Sequence, residues 1–251
     1  MTFEIASYSF TLYQLAVLGL AAALIGMAKT GVHGAGMISI PLLALVFGAK
    51  ASTGITLPIL IMADLFAVYY YHRHASWPHL RRLIPFAFIG IIVGTVVGQL
   101  VDEIMFGYVM IAIIFISLGV MVYRERRTDL DIPSLPLFSS TIGVAGGFAS
   151  MVGNLAGPVM ALYLLAMRLP KNQFIGTAAW FFLLLNIAKL PFHIWVWETI
   201  TWNSSTVNFL LFPAIAVGAF LGFKIVSRIP EKPFRWFVII MTAVSAIAML
   251  V

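Results

Sequence analysis

The residues able to do chemistry gather at two breaks in otherwise apolar sequence. Lys29-Thr30-Gly31-Val32-His33-Gly34-Ala35 separates the apolar blocks 10–28 and 36–49. Val152-Gly153-Asn154-Leu155-Ala156 separates blocks 136–151 and 157–169. A helix starting near Gly34 or Gly36, and another at Gly157-Pro158, would each begin with backbone N–H groups that lack an intrahelical partner. Such N-termini carry partial positive charge and attract anions. Glycine lets an oxyanion approach the backbone closely, and Pro158 suits a first helical turn because its missing N–H is no loss there. Thr30, His33, Ser39, Ser150 and Asn154 would add side-chain donors, Lys29 would add a full positive charge, and Gly31, Gly34, Gly36, Gly153 and Gly157 would let the anion approach the backbone. The chemistry indicated is anion binding. The plainer alternative is that these glycines only permit tight turns and close packing.

Three further polar residues lie deep in apolar blocks. Asp64 sits within 53–71, and Asn186 and Lys189 within 172–194. Charged groups in hydrocarbon are costly and usually line a cavity or pair with each other. Asp64 could carry a coupling proton. Lys189 could bind an anion or pair with Asp64, or it could snorkel to the interface. Asn186 could join a site or bond between helices. The histidines show no metal-ligand spacing with carboxylates, and His72 and His193 end their blocks, so interfacial roles are expected for them. The chain has no cysteine, which removes thiolate metal sites and Cys nucleophiles. It also lacks H-E-x-x-H, G-x-S-x-G and a Walker sequence. No metal, no cofactor and no enzymatic activity is expected.

What must position these residues is a set of membrane helices. Only 10% of the 251 residues are charged while 62% are hydrophobic, too little charge to coat a globule in water. Ten apolar blocks run at about 10–28, 36–49, 53–71, 83–101, 104–123, 136–151, 157–169, 172–194, 206–227 and 234–251. Most approach the roughly 17–25 residues that cross a bilayer. Blocks 36–49 and 157–169 are shorter, near 20 Å of helix, so each is read as the return arm of a re-entrant helical hairpin. No basic residue precedes the first block, so a cleaved signal peptide is not expected. With both hairpins returning to their starting side, Arg73, Arg81, Arg82, Arg124, Arg126, Arg127, Arg168, Lys171, Lys224, Arg228, Lys232 and Arg235 all lie inside. Among loop positions Lys50 alone is left outside. Treating each hairpin as one broken span would move Arg168, Lys171 and the 224–235 cluster outside, against the positive-inside rule. The net charge of +6 therefore reports orientation in a cell inner membrane, not a nucleic-acid partner.

The two halves also resemble each other. A shift of 121 aligns Gly26 with Gly147, Ala28 with Ala149, Gly36 with Gly157, Lys50 with Lys171 and His72 with His193. A shift of 128 aligns Pro85 with Pro213, Gly90 with Gly218, Gly94 with Gly222, Glu103 with Glu231 and Phe106 with Phe234. The expected fold is an all-α integral membrane protein of two inverted repeats, each a broken or re-entrant helical hairpin plus three transmembrane helices. Repeat 1 covers 1–128, a cytoplasmic linker 129–135, and repeat 2 covers 136–251. Gly90, Gly94 and Gly98 share one helix face and invite close packing. Tyr69 to Tyr71, Trp77, Trp195, Trp197 and Trp202 flank spans as interfacial anchors.

Duplicated halves, a glycine-bearing tip in each, Gly31-Val-His-Gly-Ala-Gly36-Met-Ile-Ser-Ile-Pro41, Gly147-Phe-Ala-Ser-Met-Val-Gly-Asn-Leu-Ala-Gly157-Pro158-Val and the basic central loop resemble the sulfite exporter family of the TauE/SafE type. This resemblance implies export of sulfite or organosulfonates without ATP. The chain departs from the family's Gly-Gly-Gly-rich tip at His33 and Ala35 and at Asn154 to Ala156, which bears on substrate identity. The leading expectation is a secondary transporter whose hairpin tips meet near the midplane around a small anion. An anion channel with the same site and a non-transporting membrane assembly protein are the alternatives. The expected partners are the small anion and the lipid bilayer; a homodimer is left open.

Overall fold

The structure is a computed structural model. It describes residues 2–5, 8–32, 35–102 and 135–230, with single positions inside 104–123 and 233–240. The expected spans 104–123 and 234–251 and the linker 129–135 fall largely or wholly outside the described residues. The remainder is helical apart from one short hairpin, β1 (Thr2–Ile5) and β2 (Tyr8–Thr11), paired antiparallel with Phe3 opposite Phe10. This hairpin departs from the all-α expectation. It runs into the start of the first apolar block at Phe10 and Thr11, and Thr11 also caps the helix that follows.

The first helical hairpin is α1 (Leu12–Lys29) and α2 (Ala35–Phe47), followed by α3 (Ala49–Tyr71), a 3-10 turn at His72–His74 and α4 (Trp77–Leu100). The second hairpin is α5 (Leu135–Gly153) and α6 (Ala156–Ala166), followed by α7 (Lys171–Pro191), a π-helical turn at Phe192–Val196, α8 (Trp202–Leu210) and α9 (Phe212–Ser227). Thr11 and Gln14 form a reciprocal capping box that starts α1. Three elements differ from the apolar blocks. Helix α3 starts at Ala49 and takes in the polar Lys50 to Thr53, and α4 starts at Trp77, with Pro78 in its first turn, and takes in Arg81 and Arg82. Block 206–227 is divided at Leu211, just before Pro213. Polar residues at a helix end cost nothing where the end reaches water, so apolar length underestimates helix length.

Among the described residues four segments are long and apolar enough to cross a bilayer: Leu12–Lys29, Lys50–His74, Trp77–Leu100 and Lys171–Val196. The outward surfaces of α4 and α9 carry Phe88, Ile89, Ile92, Val96, Phe212, Val217, Phe220 and Leu221, while Ser39, Asp64, Asn186 and Lys189 are buried. Polar inside and apolar outside is the pattern for a protein whose solvent is hydrocarbon. Both hairpins return to their own bases. Phe10, just before α1, meets Phe47 at the end of α2 with ring centroids 6.4 Å apart. Phe138, near the start of α5, stacks on Tyr163 of α6 at 5.6 Å, and Ser139 Oγ lies 3.2 Å from the Tyr163 hydroxyl. Helix α6, apolar on every side, is buried on nearly every side.

Glycines fix the pairing of the long helices. Helix α1 packs on α9, where a Cβ on Gly26 would strike Ile215 O, one on Gly218 would strike Ala23 O, and one on Gly222 would strike Met27 O and Thr30 Oγ1. Helix α5 packs on α4 in the matching way: Gly147 against Ala87 O, Gly90 against Val144 O, and Gly94 against Phe148 O and the Met151 side chain. Helices α3 and α7 cross at the centre.

Candidate functional site

The site is organised around Lys29, the last residue of α1. Its ammonium forms an ion pair with Asp64 of α3, Nζ to Oδ1 2.8 Å, and lies 4.1 Å from the centre of the Phe182 ring of α7. An aromatic face attracts a cation, so Phe182 and Asp64 together hold the ammonium in place. Asn186 Nδ2 donates to the other oxygen of Asp64 at 2.6 Å. Both carboxylate oxygens thus have a donor-bearing partner, and Asp64 is fully buried. Breaking one partner of such a buried pair costs about 3–5 kcal/mol because a charge is left without compensation.

A second cluster surrounds the other tip. Lys189 of α7 is fully buried, and its Nζ donates to Ser150 O at 3.0 Å and to Asn154 Oδ1 at 2.6 Å. A cation at the carbonyl end of a helix is favourable, and Lys189 supplies one to α5. Asn154 donates its Nδ2 to Thr53 O of α3 at 3.3 Å. Its backbone has φ 57°, a left-handed turn that lets α5 stop and α6 begin within two residues. Asparagine is among the few residues other than glycine that visit this region readily.

Between the clusters lies a cavity of about 80 Å³, measured as the space open to the centre of a water-sized sphere. One water needs about 10–15 Å³ by that measure, so there is room for an ion of several heavy atoms. The polar part of its wall is Lys29, Thr56, Ser150, Asn154 and Asn186. The first turns of α2 and α6 contribute Gly36 and Gly157, and the remainder is apolar, including Ile25, Leu60, Ala178 and Phe182.

Of the residues singled out in the sequence, Lys29, Gly36, Ser150, Asn154, Gly157 and Asn186 therefore line one cavity, and Asp64 and Lys189 stand directly behind it. Others serve elsewhere. Thr30 Oγ1 bonds the carbonyls of Gly26 and Met27 at 3.2 Å and of Ala219 at 2.9 Å, tying α1 to α9. Gly31 has φ 124° and is wedged between Val226 and Ile175, so it is a turn residue. Ser39 donates to Ala21 O across the first hairpin at 3.3 Å. Gly153 is the buried last residue of α5. His33 and Gly34 lie outside the described residues. Lys189 does not pair with Asp64; it holds the second tip. Thr56 and Phe182 were not anticipated. The signal was present: Thr56, Leu60 and Asp64 recur every fourth residue on α3, as do Ala178, Phe182 and Asn186 on α7, so each set shares a helix face.

The two tips do not meet at one level. The first touches α3 at Asp64, and the Tyr71 hydroxyl reaches Thr30 O at 3.5 Å. The second touches α3 at Thr53, some 16 Å of helix away from Asp64. Each bend therefore passes the Asp64–Asn186 crossing, and the cavity lies where the hairpins overlap. The expectation of two tips face to face omitted this, because 18 residues of α1 and 19 of α5 reach about 27–28 Å, nearly the thickness of the hydrocarbon.

The ends of the bundle differ in charge. At one end Ser76 N–H donates to Thr177 Oγ1 at 2.9 Å, and Lys171 Nζ donates to Val226 O at 3.3 Å and Ile229 O at 2.6 Å. These bonds gather the segments that carry Arg73, Arg81, Arg82, Arg168, Lys171, Lys224 and Arg228. At the other end Trp197 Nε1 donates to Thr95 O at 3.3 Å, and Lys50 lies 5.5 Å over the Trp197 ring. Apolar helices facing outward and buried charges around an internal cavity define a multi-pass α-helical membrane protein. The chain belongs to the sulfite exporter TauE/SafE family, whose profile matches residues 15–249. No curated protein matches the chain.

Proposed function

We propose that this protein is a secondary transporter that exports a small sulfur oxyanion, sulfite or an organosulfonate, across the cell inner membrane. The observation that carries the reading is the cavity at the hairpin overlap, where Lys29, Asn154, Asn186 and the first turns of α2 and α6 converge in an otherwise apolar wall. An oxyanion there would meet an ammonium, amide donors and two helix N-termini, the groups that bind anions elsewhere. Family membership supports the sulfur oxyanion in particular.

The transport cycle draws on a duplicated design. The reciprocal glycine contacts support two inverted repeats, 1–128 and 136–251, joined by the linker 129–135. Gly90 against Val144 O has Gly218 against Ala23 O as its counterpart, and Gly147 against Ala87 O has Gly26 against Ile215 O. These partners obey the 121 and 128 shifts on both sides of each contact. The bond between Asp64 and Asn186 joins near-equivalent positions of the repeats. Rocking of one repeat against the other at this crossing would expose the cavity to each side in turn. In a cell with a negative interior the membrane potential drives a monoanion outward by about 2.3 kcal/mol per 100 mV.

The test is sulfite counterflow in proteoliposomes. The wild-type protein should show saturable exchange of internal for external sulfite, and Lys29→Gln should lose it. Sulfite flux that is linear in concentration and shows no counterflow would indicate a channel. Flux unaffected by Lys29→Gln would remove the cavity from the pathway.

A further inference from the structure

We infer that the cavity is built for singly charged anions, and that Asp64 sets this limit. The inference rests on the anion-site reading and adds to it the charge of the cargo. Among the described residues three charged side chains are enclosed between the helices at the site: Lys29, Lys189 and Asp64. In their ionised forms they sum to one positive charge. The remaining described charges on the long helices, such as Lys50, Lys171 and Lys224, stand near helix ends.

Each of the three has partners that suit its ionised form. Asp64 has Lys29 on Oδ1 and accepts from Asn186 on Oδ2, so neither oxygen is left facing apolar wall. Lys189 donates to two oxygens, Ser150 O and Asn154 Oδ1. Lys29 has three N–H donors, so its ammonium can hold Asp64 and still offer a proton to an anion in the cavity it lines.

In a medium of low polarizability uncompensated charge is the dominant cost. A monoanion brings the occupied site to zero. A dianion leaves it at minus one, with its second charge facing the carboxylate of Asp64. The preferred cargo is therefore bisulfite or a sulfonate, not the sulfite or sulfate dianion. Asp64 subtracts one unit from a site that two lysines would otherwise tune for a dianion.

Methanesulfonate and sulfate are suitable probes. Both are tetrahedral at sulfur, both are similar in size, and each keeps a fixed charge around neutrality. Titration calorimetry of the full chain in detergent should show methanesulfonate binding roughly a hundredfold more tightly than sulfate. Asp64→Asn raises the site to plus two and should move the ratio toward sulfate by a similar factor. Lys189→Gln, which keeps a donor for Asn154, lowers it to zero and should remove methanesulfonate binding, which gives a second check if Asp64→Asn does not fold. A wild-type protein that takes sulfate as tightly as methanesulfonate, or an unchanged ratio in folded Asp64→Asn, overturns the charge limit and leaves the anion site standing. Absence of binding by methanesulfonate, sulfate and sulfite alike overturns both.

Discussion

Asn154 joins three parts of the protein through one side chain and one backbone angle. Its amide bridges Lys189 and Thr53, and its φ of 57° ends α5. The two roles separate by substitution. Asn154→Gly keeps the turn and loses the bridge, which should lower stability by about 1–3 kcal/mol, since Lys189 and Thr53 O each lose a buried partner. Asn154→Ala loses the bridge and also strains the turn, adding about 1–2 kcal/mol. The melting midpoints in detergent should therefore fall in the order wild type, Gly, Ala. Equal midpoints for Gly and Ala would mean that the turn relaxes out of the left-handed region. At this scale the sequence marked most of the right residues but not their partners. Asp64 and Lys189 stand out because charge is rare in apolar blocks. That Asp64 pairs with Lys29 while Lys189 holds Asn154 depends on which helix faces come together, and no local pattern encodes that.

The helices are held by surfaces rather than by bonds. The α4–α5 and α1–α9 seams bring backbone to backbone, so small residues decide whether they close. Neighbouring glycines on α5 make a sharp test. A Cβ on Gly147 would collide with Ala87 O, whereas one on Gly146 would lie 3.6 Å from the Phe181 ring, an ordinary contact. Gly147→Ala should cost about 1–3 kcal/mol or prevent folding. Gly146→Ala should be neutral or stabilising by roughly 0.5–1 kcal/mol, because alanine favours a helix interior. Thermal melts, or yields of monodisperse protein, would check both, and equal behaviour would contradict the seam. The Gly90, Gly94 and Gly98 stripe was legible as a packing face. Its partners were not: Gly90 and Gly94 meet α5, while Gly98 meets the Trp197 ring. The division of block 206–227 into α8 and α9 also escaped an apolar count, since a break costs no hydrophobicity.

Across the molecule, the bonded ends of α3, α7 and α9 fix which loops share a side. Ala51, near the start of α3, and Arg73, in the 3-10 turn that follows it, are both exposed, about 33 Å apart. Arg168 is exposed between α6 and α7, at the end where Ser76 meets Thr177. The chain has no cysteine, so single cysteines report cleanly. In intact cells, Ala51→Cys should react with a membrane-impermeant maleimide, and Arg73→Cys and Arg168→Cys should react only after permeabilisation. Labelling of Arg168→Cys from outside would make α5 and α6 a crossing rather than a hairpin.

Apolar block length, the rarity of charge and the placement of arginine and lysine are local properties, each set by the transfer energy of a few residues. From them a membrane protein, its two hairpins and an expected orientation can be read along the chain. The depth to which each hairpin reaches, the crossing of α3 and α7 at Asp64 and Asn186, and the assignment of one lysine to the cavity and the other to a tip were decided only by tertiary structure. Those features join positions 35 to 122 residues apart, and what brings them together is the close fit of helix surfaces that no single segment contains.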